Sequence, residues 1–509
     1  MKMFLATLTA LATATALSAE VPLGDEALRP QIHYTPKRNW MNDPNGLIKV
    51  GDEYHLFYQY NPEGIRWGHM TWGHAVSIDL LHWRELPVAI PEDARDMVFS
   101  GSVVLDTANS SGFGSPGKPA MVAIYTGAAQ PPAKRQRQNI AFSTDQGRTW
   151  TKYAGNPVLD LGLEDFRDPK VFWYEPTHSW IMAAALSTQK KVAFFRSPDL
   201  KTWTHLSDFG PAGASDGVWE CPDLFPMPVA NRPGEVRWVL KVDAQFSKIA
   251  PGGGGQFFVG SFDGERFTPG ADSQPIWADY GPDFYASAFW SGIPAADGRR
   301  ILLGWMDNWT YGQDLPTSPW RGVMSLPREL SLHALAHGYE IRQAPIRELA
   351  SLTTTSRRSG PPAGRTGSVD VATLSSPGLP HDVTVEWQAD DAAQFGLHLR
   401  SANRTEATIR YDAAKHLLWI DRAPLSDPKL STAFAHSSNA PVALENGRLK
   451  LRLVLDRGSI ELFAQDGARV LTEQLMPVAP ITSLSTFADG GAAKLLSMDV
   501  ATLASAREK

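Results

Sequence analysis

Ser143-Thr-Asp-Gln-Gly-Arg-Thr-Trp150 reads as a polar turn with an aromatic anchor, and it has relatives elsewhere in the chain. Ser77-Ile-Asp79 leads to Trp83, Ser197-Pro-Asp199 to Trp203, and Ser261-Phe-Asp263-Gly264 to Phe267. Each copy follows a short apolar run and precedes another, at spacings of 66, 54 and 64 residues. Ser and Asp side chains bond to nearby backbone and close a hairpin turn, while the aromatic ring packs behind it. A strand–turn–strand unit at this period predicts four-stranded propeller blades. Four marked copies and one unmarked blade predict five blades over about 300 residues.

The flanking sequence agrees with strands. Tyr54–Tyr60, Met121–Tyr125, Trp180–Ala184, Val192–Phe195 and Arg300–Gly304 are short apolar or aromatic runs bounded by turn residues. No helical period of three turns is found there. Ser351-Leu-Thr-Thr-Thr-Ser-Arg-Arg-Ser-Gly-Pro-Pro-Ala-Gly has linker composition. Beyond it, Val383–Trp387, Phe395–Arg400, Leu449–Leu453 and Ser459–Phe463 alternate with period two. One wet face and one buried face are expected for these strands, as in a β-sandwich. The fold class is therefore all-β: a five-bladed β-propeller over 20–345, a linker over 346–366 and a β-sandwich over 367–509.

Residues 1–19 read as a secretory signal peptide, with Lys2 ahead of an apolar, small-residue run and Ala-x-Ala and Ala-x-Ser endings near Ala16 and Ser18. That run is too short and too rich in Thr to span a membrane. The 509 residues carry 48 Lys+Arg against 54 Asp+Glu, which disfavours a nucleic-acid partner. A single cysteine excludes an intrachain disulfide, and export without disulfides suits a periplasm or the medium. Trp, at 17, outnumbers Tyr at 12, an excess that composition alone leaves unexplained.

Three polar stretches hold candidate chemistry. In Asn39-Trp-Met-Asn-Asp-Pro-Asn-Gly46, Asp43 precedes a φ-fixing Pro under apolar cover, which suits a nucleophile and also suits a structural Asx-turn. In Glu164-Asp-Phe-Arg-Asp-Pro-Lys170, Asp168 adjoins Arg167, either a functional carboxylate kept ionised or a structural ion pair. In Trp219-Glu-Cys-Pro-Asp223, Glu220 stands between Trp219 and Cys221. Apolar neighbours desolvate a carboxyl and favour its protonated form, the state a general acid needs. Cys221 itself reads as a small buried residue more readily than as a nucleophile. In a propeller the inner strands converge on the axis, so carboxylates from three blades can meet there. Two acids with surplus Trp suit glycoside cleavage, the rings stacking on sugar C–H faces. His69 and His74 fit no zinc spacing and read as pocket or core residues, and Gly252–Gly255 lacks a phosphate-loop context and reads as a blade turn.

Trp40-Met-Asn-Asp-Pro-Asn-Gly46, Phe166-Arg-Asp-Pro169 and Glu220-Cys-Pro222 resemble, in this order, the three signature motifs of glycoside hydrolase family 32. Phe57–Pro62, Trp67-Gly-His69, Phe99-Ser-Gly-Ser102, Asp283–Ala286, Gly304-Trp-Met306 and Pro319–Gly322 are also similar to stretches of that family. The resemblance implies a five-bladed propeller plus β-sandwich and a retaining mechanism, with nucleophile and acid carboxyls about 5–5.5 Å apart. It implies Asp43 as nucleophile, Glu220 as general acid and then base, and Asp168 as transition-state stabiliser. Trp40, Asn42, Gln59, Trp67, Phe99, Ser100, Arg167 and Trp305 are implied as sugar contacts, with no metal and no cofactor. The implied reaction is exo-release of fructose from levan or inulin, and from sucrose, by an exported enzyme. Linkage preference and oligomeric state stay open.

One departure is Ser287-Ala-Phe-Trp290, where many members carry Gln soon after Tyr-Ala, so Ala288 leaves fine specificity open. Competing readings are a fructosyltransferase of the same family and a carbohydrate-binding protein with a dead site. The Ser143–Trp150 turn also resembles a sialidase Asp-box. That box is structural, and the Arg triad and Tyr nucleophile of a sialidase are not evident.

Overall fold

A computed structural model describes residues 23–271, 274–359, 369–374 and 376–507. The leader expected over 1–19 lies outside the described residues.

Five sheets succeed one another around an axis. Blade I comprises Asn39–Val50, Glu53–Asn61, Thr71–Ser77 and Arg84–Ile90. Blade II runs from Asp96–Asp106 to Thr151–Lys152, and blade III from Phe166–Tyr174 to Thr204–Phe209. Blade IV begins at Val218–Pro228 and blade V at Tyr285–Phe289, ending at Tyr339–Pro345. Trp320–Arg321, from a long connection within blade V, pairs in parallel with Asn39 and Trp40 and so closes the ring.

All four repeated turns join the third strand of a blade to the fourth. The Ser77, Ser143 and Ser197 hydroxyls donate to Asp79, Asp145 and Asp199 at 3.0, 2.7 and 3.2 Å. Each Asp also accepts backbone N–H groups from the turn. The indole N–H of Trp83, Trp150 and Trp203 donates to the carbonyl three residues back, at 3.0, 3.0 and 3.1 Å. Phe267 holds the corresponding place in blade IV by packing alone, buried among Phe194, Phe209 and Phe258.

Both faces of a blade are covered, so strands such as Trp180–Leu186 are buried throughout and show no alternation. Adjacent blades share their cores. Phe57 and Trp72 of blade I meet Val103 and Tyr125 of blade II. Val122 and Ile124 meet Phe166 and Met182, and Ile181 and Phe194 meet Leu240 and Phe258. Phe257 meets Phe289, and Leu56 meets Ile301 to complete the ring.

Two six-stranded sheets form the sandwich. Leu449, Leu451 and Leu453 alternate inward as expected. Ser459–Ala464 does not: it is buried on both faces, because its second face lies against the propeller. The stretch read as a linker is structured where it is described. Arg347–Leu352 is a short 3-10 helix, its Leu349 and Leu352 buried, and Thr353–Ser359 pairs as an edge strand with Ala493–Leu503.

Buried ions bind the two parts. Arg328 of blade V donates to Glu461 of the sandwich at 2.5 Å, to Asp279 at 2.9 Å and to Thr472 at 2.5 Å, with the Phe284 ring 4.0 Å from its guanidinium carbon. His33 lies between Asp456 at 2.8 Å and Glu461 at 3.0 Å. Burial works against its charge, but the two carboxylates win and push it up to about 9. Arg422 donates to Asp283 at 2.6 Å and to the Tyr311 hydroxyl at 2.7 Å. Replacing one member of such a network strands its partners. Arg328→Met is expected to destabilise the protein by about 3–5 kcal/mol, read as a lowered denaturant midpoint. An unchanged midpoint would remove this network from the account of how the two parts are held.

Candidate active site

Each of the five innermost strands carries a bulge at the same height. Two residues face one on the neighbouring strand: Asn42 and Asp43 in blade I, Phe99 and Ser100 in blade II, Asp168 and Pro169 in blade III. Cys221 and Pro222 do so in blade IV, and Ala286 and Ser287 in blade V. A bulge interrupts pairing and re-aims a side chain. In blades III, IV and V its first residue takes positive φ: 61° at Asp168, 50° at Cys221 and 49° at Ala286. Pro after Asp43, Asp168 and Cys221 suits this, because the broken ladder needs no N–H there.

The bulges bring all three sequence-predicted carboxylates to one cavity of about 420 Å³. Asp43 accepts from the Ser100 hydroxyl at 2.7 Å and from the Asn42 amide at 2.9 Å. Asp168 accepts from the Cys221 N–H at 2.9 Å, with Arg167 Nε 3.9 Å away. Glu220 is paired with Arg167 at 3.0 Å and accepts from the Tyr285 hydroxyl. Arg167 also donates to Asp165 and Gln136, so its guanidinium is fixed from three sides. The Cys221 sulfur stands between the aspartates, 4.0 Å from Asp43 and 3.7 Å from Asp168. Burial and these two charges push its thiol up, which keeps it protonated and unsuited to attack.

Asn42, Gln59, Trp67, Phe99, Ser100 and Arg167 line this cavity. Trp40 and Trp305 do not. Both are wholly buried behind Trp309, a half-buried ring that lines the cavity in their place and was not among the expected contacts. The three indoles pack together, with Trp309 centred 5.9 Å from Trp40 and 5.1 Å from Trp305. The Trp40 indole N–H donates to the Asn42 side-chain oxygen at 2.7 Å and so turns the Asn42 amide nitrogen toward Asp43. Trp219 is also misjudged. It points away from Glu220 into the core of blade IV, since neighbours on a strand face opposite ways. Arg167 and Tyr285 flank Glu220 instead.

Gln136, Gln245 and Phe246 join the lining without a motif to announce them, and Asp165 joins it from within the Glu164–Lys170 stretch. One signal was available for two of them: the strand ending at Gln245 pairs with the strand of Glu220, so it must end beside that residue. Ala288 lies a layer deeper, around an axial cavity of about 30 Å³ under the bulges. His74 is a core residue stacked on Phe57, whereas His69 is on the surface, paired with Glu92 at 2.7 Å.

Burial raises Asp43, with Glu220 adding to the effect and the Ser100 and Asn42 hydrogen bonds opposing it. Burial also pushes Asp168 up to about 7; Arg167 opposes, and Glu220 and Asp43 reinforce. At Asp168, burial with two neighbouring carboxylates thus outweighs the one arginine.

The family model for the glycosyl hydrolases family 32 N-terminal domain matches residues 33–345, and that for the family 32 C terminal matches 348–502. The chain is 43% identical to a levanase of Bacillus subtilis over 482 residues, covering 94% of this chain and 70% of that protein. It is 38% identical to an extracellular exo-inulinase of Aspergillus ficuum, covering 94% and 95%. The crystal structure of exo-inulinase from Aspergillus awamori superposes with a TM-score of 0.88 at 36% identity, covering 95% and 99%. A β-fructofuranosidase from Schwanniomyces occidentalis, complexed with fructosyl-erythritol, gives 0.85 at 32%, covering 94% and 98%.

A carboxyl raised on folding favours the folded state when protonated and penalises it when ionised. The penalty at Asp168 grows as pH rises from about 4, its ordinary value, through about 7. Asp168→Asn is therefore expected to raise Tm at pH 8 by about 2–4 °C, with the gain vanishing toward pH 4. Thermal unfolding across this range is the check, and a gain independent of pH would refute the assignment of the penalty to this carboxyl.

Proposed function

The chain belongs to glycoside hydrolase family 32, and from that premise we infer that it is a retaining, exo-acting β-fructosidase. It hydrolyses β-fructans of the levan or inulin type, and sucrose, releasing fructose. Levanase and exo-inulinase relatives, together with the fructosyl-erythritol complex of a structural neighbour, support this substrate class.

The observation that carries the mechanism is the meeting of Asp43, Asp168 and Glu220 from three blades in one cavity. Asp43 attacks C2 of a terminal β-fructofuranosyl unit while the bond from C2 to the leaving oxygen breaks. Glu220 delivers its proton to that oxygen, and Arg167 and Tyr285 hold the carboxylate left behind. The products of this step are the departed sugar and a fructosyl ester on Asp43. Glu220 then takes a proton from water, the water oxygen bonds to C2, and Asp43 leaves. Asp168 accepts hydrogen bonds from fructose hydroxyls, which tighten as positive charge develops on the ring. Ser100 and Asn42 orient Asp43, and Trp67, Phe99 and Trp309 face the sugars.

Exo action has its own support. Below the carboxylates the axis narrows to the cavity of about 30 Å³, room for a single water and no sugar. A chain end can enter, but a fructan cannot thread through. The relatives termed extracellular, with the leader reading of residues 1–19, support export.

Asp43→Ala and Glu220→Gln are each expected to lower kcat on sucrose, inulin and levan by about 10²–10⁴-fold. Unimpaired fructose release by either variant would remove its residue from the mechanism. Two readings of the wild type test the rest. Fructose should be the sole early product from inulin, by chromatography, and should first form as the β-anomer, by NMR. Early oligosaccharides would contradict exo action, and an α-anomer would contradict retention.

A further inference from the structure

Lys241 is wholly buried, on the strand that pairs with the one carrying Glu220. A buried ammonium is costly unless its donors are satisfied. This one donates to the Asp243 carboxylate, to the Ser287 carbonyl at 2.5 Å and to the Cys221 carbonyl at 3.2 Å. The two carbonyls belong to the inner-strand bulges of adjacent blades, IV and V. Those bulges hold Cys221 and Ala286 at positive φ, where a side chain is strained and must be held by its surroundings. The residue before each bulge is Glu220 in one and Tyr285 in the other, and the Tyr285 hydroxyl donates to Glu220. The Cys221 N–H, in the same bulge, donates to Asp168. A single ammonium thus holds the two turns that present the acid, its hydroxyl partner and a donor to Asp168. Asp243, also buried, stands directly across the strand pair from Glu220.

We propose that Lys241 is a positioning residue of the β-fructosidase reaction, clamping the bulges of blades IV and V through the Cys221 and Ser287 carbonyls, with Asp243 as its counter-ion. The proposal rests on the reading of Glu220 as the acid. A plain structural ion pair would be dispensable as a pair, since two neutral partners replace two buried charges at little cost. A clamp would not, because only the ammonium donates to both carbonyls.

The charged and titratable groups facing this pair are Glu220 and Cys221 of blade IV, Asp43 of blade I and Tyr285 of blade V; Arg167 and Asp168 of blade III stand behind them, against Glu220 and Cys221. Loss of a cation favours protonated carboxyls, and loss of an anion favours ionised ones.

The experiment compares Lys241→Met, Asp243→Asn and the double variant in the full chain, by Tm and by kcat and KM on sucrose across pH. Lys241→Met is expected to lower kcat about 10²-fold, the cost of a misplacement near 1 Å. Its KM should stay within about threefold of wild type, and its pH–rate profile should move to higher pH. Asp243→Asn keeps the clamp, so kcat should stay within about tenfold while the profile moves to lower pH. The double variant should recover Tm and the wild-type position of the profile without recovering kcat. Recovery of kcat in the double variant would overturn the proposal, as would Lys241→Met with unchanged kcat. If the Lys241 variants fail to fold, Asp243→Asn still decides: a 10²-fold loss of kcat without a displaced profile refutes the clamp. The reading of Glu220 is tested separately by Glu220→Gln, so its failure is distinguishable.

Discussion

A bulge at one shared height in each innermost strand is the constraint from which the site follows. A regular strand would send alternate side chains into the two flanking blade cores and leave backbone facing the axis. The bulge breaks that alternation, and it does so in every blade at one height. The same device presents a different position each time: the second bulge residue in Asp43, the first in Asp168, the residue before it in Glu220. Three carboxylates thereby approach from three directions, with Ser100 and Tyr285 of the other blades as donors between them.

Such an arrangement is expensive in isolation. Left-handed backbone at Asp168, Cys221 and Ala286 is disfavoured, and carboxyls crowded out of water repel when ionised. The neighbours offset this by tying blade to blade beneath the cavity. The Ser102 hydroxyl donates to the Pro169 carbonyl and accepts from the Val171 N–H. Lys170 pairs with Asp223 and donates to the Phe289 carbonyl. Lys241 joins Cys221 to Ser287. Farther out, the buried ions around Arg328 and Arg422 fix blade V, the closing blade, against the sandwich. Functional strain at the axis is held by hydrogen-bonded polar groups, among them the buried Ser102, Asp223 and Lys241.

Much of the fold was legible because its signals are local. The Ser-x-Asp turns with trailing aromatics count blades, and the Trp83, Trp150 and Trp203 hydrogen bonds are the reason for that spacing. The stretches around Asp43, Asp168 and Glu220 were legible through their joint resemblance to the family's signature motifs, since read singly Asp43 also suited a structural turn and Asp168 a structural ion pair. What failed were particular inferences about which way a side chain points. Trp219 is adjacent to Glu220 in sequence and turned from it in space, and Trp40 and Trp305 form the backing for Trp309. Ser459–Phe463 had the pattern of a half-wet strand, yet Glu461 is buried because Arg328 and His33 meet it from the propeller.

Local signals along the chain thus point to the class of fold, the number of blades and the three carboxylates that share the cavity. Each depends on residues within a turn or a strand of one another, where covalent geometry sets the outcome. What surrounds those carboxylates follows from long-range packing instead. Asp43 and Ser100 are 57 residues apart, Arg167 and Glu220 are 53 apart, and Tyr285 lies 65 beyond Glu220. Their meeting depends on ring closure by Trp320–Arg321 and on five bulges in register. The charge each carboxyl carries depends on burial and on these partners, quantities that exist only once the chain has closed around its axis.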